Sequence, residues 1–240
     1  MDRQQLSINL TEWRCPTALE LHLHPLSSYC WKVLIALYEA GTPFELVMVN
    51  LMDPDARAAY LRVSPFGKIP ALRDTGRGVD VFETSVIIEY LDIHYPGASR
   101  LVPADPEQAL EVRLWDRIFD QYVMNGFQPI VNDRLRPEGQ RDPLSVAGAY
   151  ANLKRAWSVL EERLAGRTWA AGESFTLADC AAAPALFYAA LAEPLDGFPV
   201  TSAYRRRLLE RPSVARAIEE AKPFFQYFPG TPEERARMPG

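Results

Sequence analysis

Apolar and polar positions change period several times along the chain, and each change marks an element. Leu19 to His24 alternates and reads as a short strand stopped at Pro25. From Tyr29 to Ala40 the residues Val33, Leu34, Leu37 and Tyr38 fall at helical spacing, and Gly41 ends the run. Phe44 to Val49 is apolar except for Glu45, which predicts a buried strand lying parallel to the first across the helical crossover. Asp53-Pro54 reads as a cap with proline at the first helical position. The short helix it opens must stop before Ser64-Pro65, because a residue preceding proline disfavours the helical conformation. Ile69 to Leu72 and Val79 to Phe82, separated by a turn from Asp74 to Gly78, predict an antiparallel hairpin. Thr84 to His94 carries Val86, Ile87, Ile88, Tyr90 and Leu91 and predicts a well-buried helix. This order of strands and helices within about eighty residues is that of a compact α/β unit.

Tyr95 to Pro106 holds three prolines and a glycine and reads as a linker. Beyond it no strand pattern occurs. Asp105-Pro106 caps a long helix reaching about Val131, Asp142-Pro143 starts another to about Ala165, and Phe175 to Leu191 is apolar nearly all round and therefore central. Two shorter helices, near 200–210 and 212–222, meet at Arg211-Pro212. The expected partition is an N-terminal extension at 1–18, an α/β domain at 19–95, a linker at 96–105, an all-helical domain at 106–222 and a tail at 223–240.

Composition narrows the function classes. With 240 residues, 48% of them hydrophobic, the chain is long enough for two modest cores. A formal net charge of −5 argues against nucleic acid as a partner. Cys15, Cys30 and Cys180 are odd in number and far apart, so neither a disulfide framework nor zinc spacing is present, and a reducing, cytoplasmic setting is expected. No run of eighteen apolar residues occurs, so no membrane span is expected. His22, His24 and His94 form no metal or triad spacing.

The candidate chemistry gathers at the starts of helices. Leu26-Ser27-Ser28-Tyr29-Cys30-Trp31-Lys32-Val33 places two hydroxyls and a thiol where a helix begins. A helix N-terminus offers free N–H groups and the positive end of the dipole, so it favours an anion such as a thiolate. From the turn alone, Ser27 reads either as a plain cap or as a hydrogen-bond donor to that anion. Ser28 and Cys30 are its rivals, and a cysteine in a first helical turn is more often a small buried apolar residue. Glu83-Thr84 is a second helix start, readable as an ordinary cap or as an anion site. Thr176-Leu177-Ala178-Asp179 reads as a capping box with a structural role for Thr176 and Asp179.

Taken in order, Ser27, Ile69-Pro70, Glu83-Thr84 and Thr176 to Asp179 resemble the motifs of a soluble, cytosolic-type glutathione S-transferase, and among these the serine-type, theta- or zeta-like members. The likeness covers roughly residues 19–222. It implies a thioredoxin-like N-terminal domain followed by a C-terminal helical bundle, and a cytoplasmic homodimer engaged in detoxification. Glutathione would be the co-substrate, conjugated to a small electrophile without a metal. It also implies roles. Ser27 would be catalytic, donating a hydrogen bond to the glutathione thiolate, with Ser28 beside it. Ile69, before a cis Pro70, would pair with the cysteinyl backbone as an added strand does. Glu83 would meet the γ-glutamyl ammonium and Thr84 its carboxylate. Lys68 would meet the glycyl carboxylate or remain a solvated surface lysine. Tyr122 and Phe127, with Arg134 and Arg136 nearby, are candidates to line the electrophile site, although aromatics at helical spacing are usually core. Two alternatives stand beside the transferase. One is a glutathione-dependent isomerase of the maleylacetoacetate type, from which Tyr29 departs, since those members carry cysteine there. The other is a non-catalytic binding module of the same fold.

Overall fold

The computed structural model describes residues 17–98 and 100–239. Leu6, Ile8, Leu10 and Trp13 of the N-terminal extension lie outside the described residues.

The N-terminal part runs β1 (Leu19–Leu23), α1 (Ser28–Ala40), β2 (Glu45–Met48), α2 (Pro54–Tyr60), β3 (Ala71–Asp74), β4 (Val79–Phe82) and α3 (Thr84–His94). The sheet order is β2-β1-β3-β4. β1 is parallel to β2, as the helical crossover requires, and β3 is antiparallel to both β1 and β4. α1 and α3 pack on one face of this sheet, and α1 is buried through most of its length. Gly41 closes α1 at φ 66°, the left-handed conformation in which a side chain is disfavoured. α2 covers the other face through a small core of Val49, Tyr60, Val63 and Ala71. The strand expected to be buried at 44–49 is instead the exposed edge: Leu46 and Met48 are 45% and 48% accessible. The apolar run specifies a strand, but β2 has one neighbour and a seven-residue helix as its cover, so half of its surface faces outward.

The second part is all-helical. α4 (Pro106–Ile118) passes through a π-helical turn (Phe119–Met124) into α5 (Asn125–Leu135), giving one continuous rod where the sequence predicts a helix. Then follow α6 (Pro143–Leu164), α7 (Leu177–Ala192), α8 (Pro199–Glu210) and α9 (Pro212–Ala221). α7 is the central post, buried at nearly every position. Its start is held by Asp179, whose carboxylate accepts from the Thr176 N–H at 2.8 Å, the Thr176 hydroxyl at 3.0 Å, the Ala170 N–H at 2.9 Å and the Tyr204 hydroxyl at 2.6 Å. The same carboxylate ties the start of α7 to the loop at Ala170 and to α8. No helix among the described residues is long and apolar enough to cross a membrane.

Two expected loose segments are fastened. In the linker, Asp92 accepts from the N–H groups of Leu101 (3.3 Å) and Val102 (2.8 Å), and both residues are buried. Gly97 passes so close to α1 that a Cβ there would lie 2.5 Å from the Ala40 Cα. The segment read as a tail packs back onto the helices. A 3₁₀ turn (Lys222–Tyr227) leads to α10 (Pro232–Ala236), and Phe225, Phe228 and Met238 join the main core. Glu234 receives both nitrogens of Arg134 at 2.6 and 2.7 Å, and Arg237 donates to the Leu191 carbonyl at 2.6 Å.

The two parts are joined through a buried cation. Lys32 of α1 is 1% exposed, and its ammonium meets Asp116 of α4 at 2.5 Å, Asp120 of the π-helical turn at 2.8 Å and the Ser85 hydroxyl of α3 at 2.9 Å. Arg117 closes the cluster from outside against both aspartates, so two positive and two negative charges balance. Removing one member leaves buried charge uncompensated, at a typical cost of about 3–5 kcal/mol. Lys32→Met is expected to destabilise by about that amount and to lower the midpoint of thermal unfolding by roughly 10 °C. Calorimetry checks this; an unchanged midpoint would show that the cluster does not secure the junction.

Candidate active site

The turn before α1 is built by short-range bonds. The Leu26 N–H donates to His24 Nδ1 at 3.2 Å, the Ser27 N–H to the His24 carbonyl at 2.9 Å, and the Trp31 indole N–H to the Pro25 carbonyl at 2.5 Å. Ser27 is the N-cap, in extended conformation at φ −79°, and its hydroxyl oxygen accepts from the Cys30 N–H at 3.3 Å. Accepting in this way leaves the hydroxyl proton free to be donated elsewhere. Ser28 is buried and Ser27 half-buried. Cys30 is fully buried, and burial pushes its thiol up to about 12, outweighing the hydrogen bonds of the Ser27 side chain and the His24 backbone. A thiol so placed stays protonated and unreactive near neutral pH.

The Ile69–Pro70 bond is cis. The loop ahead of it is pinned because the Lys68 carbonyl accepts from the Tyr60 hydroxyl at 2.7 Å and the Ser64 hydroxyl at 3.0 Å. Ile69 is half-buried, and among the described residues its N–H and carbonyl take no part in a backbone hydrogen bond, which leaves them open to an extended ligand. Glu83 adopts φ 71°, the one positive φ found outside glycine among the described residues. Its side chain does not cap α3 and is exposed. A non-glycine residue held in this region costs of order 1–3 kcal/mol and marks a place where geometry serves something other than stability. The ordinary-cap reading of Glu83 is therefore not what the structure shows.

These residues fall into two adjoining cavities. One, of about 170 Å³, is lined by Lys68, Ile69, Pro70, Glu83 and Thr84 on the α/β side and by Arg117, Asp120, Gln121 and Asn125 on the helical side. The other, of about 230 Å³, is lined by Ser27 and Ser28 together with Met124, Phe127, Val131, Tyr188, Phe228 and others. Tyr29 belongs to both, and its hydroxyl donates to Asn125 Oδ1 at 2.9 Å, tying the turn to α5. Burial raises the Tyr29 phenol well above its usual range, so it stays a donor. The site is thus polar at one end, apolar at the other, and divided by one ring.

Phe127 lines the cavity that also contains Ser27. Tyr122 does not: it is 65% exposed and lines a separate groove of about 720 Å³ between α4, α5 and α6. Residues 122 and 127 are five apart on a rod interrupted by a wide π-helical turn, so they point to different sides. Arg134 and Arg136 do not line the cavity. Arg134 is engaged with Glu234, and Arg136 lies 3.8 Å from Asp133 and 3.6 Å from Asp142. Sequence reasoning missed Tyr29, Arg117, Asp120 and Tyr188. The signals were present: three charged residues within Asp116 to Asp120, and a phenol in an otherwise apolar helix. No group of three or more His, Cys, Asp or Glu side chains that could hold a metal occurs among the described residues.

Known proteins are similar to this chain in sequence and fold. The family model described as the glutathione S-transferase N-terminal domain matches residues 26–93, and that for the C-terminal domain matches residues 143–207. A glutathione S-transferase of Hyoscyamus muticus is 29% identical over 211 residues, 84% of this chain and 98% of its own length. The Escherichia coli glutathione S-transferase GstB is 27% identical over 191 residues, 78% of this chain and 91% of its own. A crystal structure of a glutathione S-transferase from Methylobacillus flagellatus with glutathione bound superimposes with a TM-score of 0.76 at 28% identity, covering 83% of this chain and 98% of that one. Both domain models match in order and together they span more than half of the chain: the chain belongs to the glutathione S-transferase family.

Proposed function

We propose that this transferase is a serine-type enzyme in which Ser27 holds the glutathione thiolate. Glutathione is its co-substrate, and a small electrophile is its second. The observation that carries the reading is Ser27 itself: a helix N-cap whose hydroxyl oxygen already accepts a bond and whose proton is free, at the junction of a polar and an apolar cavity. A thiol near 8.5 must fall by about two units to ionise at neutral pH, which corresponds to about 2.7 kcal/mol. One hydrogen bond to an anion contributes roughly 1.5–3 kcal/mol and a helix terminus about 0.3–1 kcal/mol, which together suffice.

In this reading glutathione lies in the polar cavity. Its γ-glutamyl ammonium meets Glu83 and its carboxylate meets the Thr84 hydroxyl and the free N–H groups that open α3. Its cysteinyl backbone pairs with Ile69, and its glycyl carboxylate approaches Lys68, whose exposed ammonium has no acidic partner among the described residues. The sulfur reaches Ser27 past the ring of Tyr29, with Ser28 behind it. The electrophile occupies the apolar cavity against Phe127. An intact set of these groups favours an enzyme over a binding module of the same fold. The expected domain boundaries fit this division of labour: the part up to Tyr95 makes the nucleophile and the part from Pro106 receives its target.

A homodimer is part of the same proposal. Val86 and Ile93 of α3 and Leu110 and Leu114 of α4 are 54–64% exposed and form an apolar face bordered by the Arg113–Glu89 ion pair. The groove that holds Tyr122 continues from it through Leu114. A two-fold copy burying the same patch would cover both. A cytoplasmic location fits a buried, reduced Cys30 and Cys180.

The ultraviolet thiolate band of bound glutathione, followed across pH, tests the central claim. Ser27→Ala is expected to raise the pKa of the bound thiol by about one to two units and so to cut turnover at pH 7 by about 10- to 100-fold. The loss should shrink as pH rises past the variant's pKa, with affinity changed far less. A band kept in Ser27→Ala but lost in Ser28→Ala would move the role by one residue. In the native protein at pH 8, Cys30 and Cys180 are expected to resist iodoacetamide and to react only on unfolding, as peptide mass mapping would show; rapid native labelling of Cys30 would reinstate it as the reactive group. Wild type should scatter light at twice the chain mass, and Leu114→Glu at the chain mass alone.

A further inference from the structure

The loop between α2 and β3 is closed on itself. The Tyr60 carbonyl ends α2 by accepting from the Val63 N–H at 2.8 Å and the Ser64 N–H at 2.9 Å. Ser64-Pro65-Phe66-Gly67 then forms a turn, in which the Gly67 N–H donates to the Ser64 carbonyl at 2.9 Å and Gly67 takes φ 62°. The chain comes back to its starting point at Lys68, whose carbonyl receives the Tyr60 hydroxyl at 2.7 Å and the Ser64 hydroxyl at 3.0 Å. Both donors are buried, Tyr60 at 4% and Ser64 at 1% exposure. One donor would satisfy this carbonyl; two, arriving from different residues, fix the plane of its peptide. The phenol is the less expected of the two, because its ring sits with Val49, Val63 and Ala71, where phenylalanine would pack as well. Burial pushes that phenol up to about 12, so it stays a donor.

The peptide joining Lys68 to Ile69 is trans, so its N–H points opposite to its carbonyl. The carbonyl faces Tyr60, which belongs to the core beneath α2 and is not a wall of the polar cavity. The Ile69 N–H therefore faces away from that core, and Lys68 and Ile69 are both walls of the polar cavity. We propose that Tyr60 and Ser64 are positioning residues for glutathione: by holding the Lys68 carbonyl, they aim the Ile69 N–H at the carbonyl of the cysteinyl residue. This rests on the reading of Ile69 given above. Ser64 borders the cavity, but its one hydroxyl proton is already committed to Lys68. Both hydroxyls thus act through the peptide plane, and the Ser27 turn lies on a different element. Without them the plane rotates among several orientations, and affinity falls by the fraction of time the loop spends in the competent one.

The test compares wild type with Tyr60→Phe, Ser64→Ala and the double variant by calorimetric titration with glutathione. Each single variant is expected to weaken binding about two- to fivefold, and the double variant by on the order of 10-fold. The ultraviolet thiolate band at saturating glutathione should titrate at the wild-type pH in all three, since Ser27 is untouched. Hydrogen exchange on isoleucine-labelled protein reads the geometry itself: saturating glutathione should slow the Ile69 amide by at least about 10-fold in wild type and by much less in Tyr60→Phe. Tyr60→Phe keeps the ring in its core, so it carries the test even where Ser64→Ala does not fold. A merely structural role would lower the thermal midpoint and leave affinity and Ile69 protection as in wild type. That result, a thiolate band shifted along with affinity, or full Ile69 protection in Tyr60→Phe would each overturn the proposal. A wild-type Ile69 amide that glutathione leaves unprotected would overturn the reading of Ile69 itself, which is a different failure from protection that survives loss of the Tyr60 hydroxyl.

Discussion

Everything at the site depends on the position of Lys32. Its ammonium is one turn beyond the Ser27 turn on α1, and it reaches across the domain junction to Asp116 and Asp120. A buried ion cluster is poor as a source of stability, since hydrophobic side chains of the same volume do as well. What it supplies is register. An apolar contact between α1 and the π-helical turn would tolerate sliding, whereas an ammonium with three fixed acceptors does not. Because Asp120 lines the polar cavity and Met124, one turn on, lines the apolar one, the same register aligns both chambers with Ser27. The wide π-helical turn contributes as well, letting Asp116, Asp120 and Met124 face inward in succession.

The elements were readable where the physics is local. Strand alternation, Asp-Pro helix starts and Gly41 act within a few residues, and the order of strands and helices follows from them. The helix-start sites were readable for the same reason, since Ser27 and Glu83-Thr84 are defined by what lies immediately around them. What stayed hidden was set by distant partners. Of the two acidic partners of Lys32, Asp120 lies 88 residues away, so in sequence it is just one more charge. The apolar run of β2 states that the segment is a strand and leaves its neighbours unspecified, which is why an edge was read as interior. Tyr122 and Phe127 look equivalent in sequence, and the π-helical turn between them, which no residue announces, separates their faces. The C-terminal aromatics carry no periodicity and were read as a tail, although they complete the core.

The two cavities divide the chemistry between two kinds of physics. The polar cavity offers helix termini, unpaired backbone groups and the strained Glu83, all fixed by the α/β scaffold. The apolar cavity offers side-chain shape, supplied largely by the helical part and the C-terminal segment. Tyr29 stands at the boundary and is fastened to Asn125, so the partition is held from both domains.

The docked C-terminal segment has a consequence for how this molecule diversifies. Phe228 and Pro229 are walls of the apolar cavity, yet they follow the helical bundle and are anchored there by Arg134, Glu234 and Arg237. The shape of that cavity is therefore partly encoded in a segment beyond α9, remote in sequence from the turn that carries Ser27. Changes confined to that segment can remodel the apolar cavity while leaving the polar one untouched.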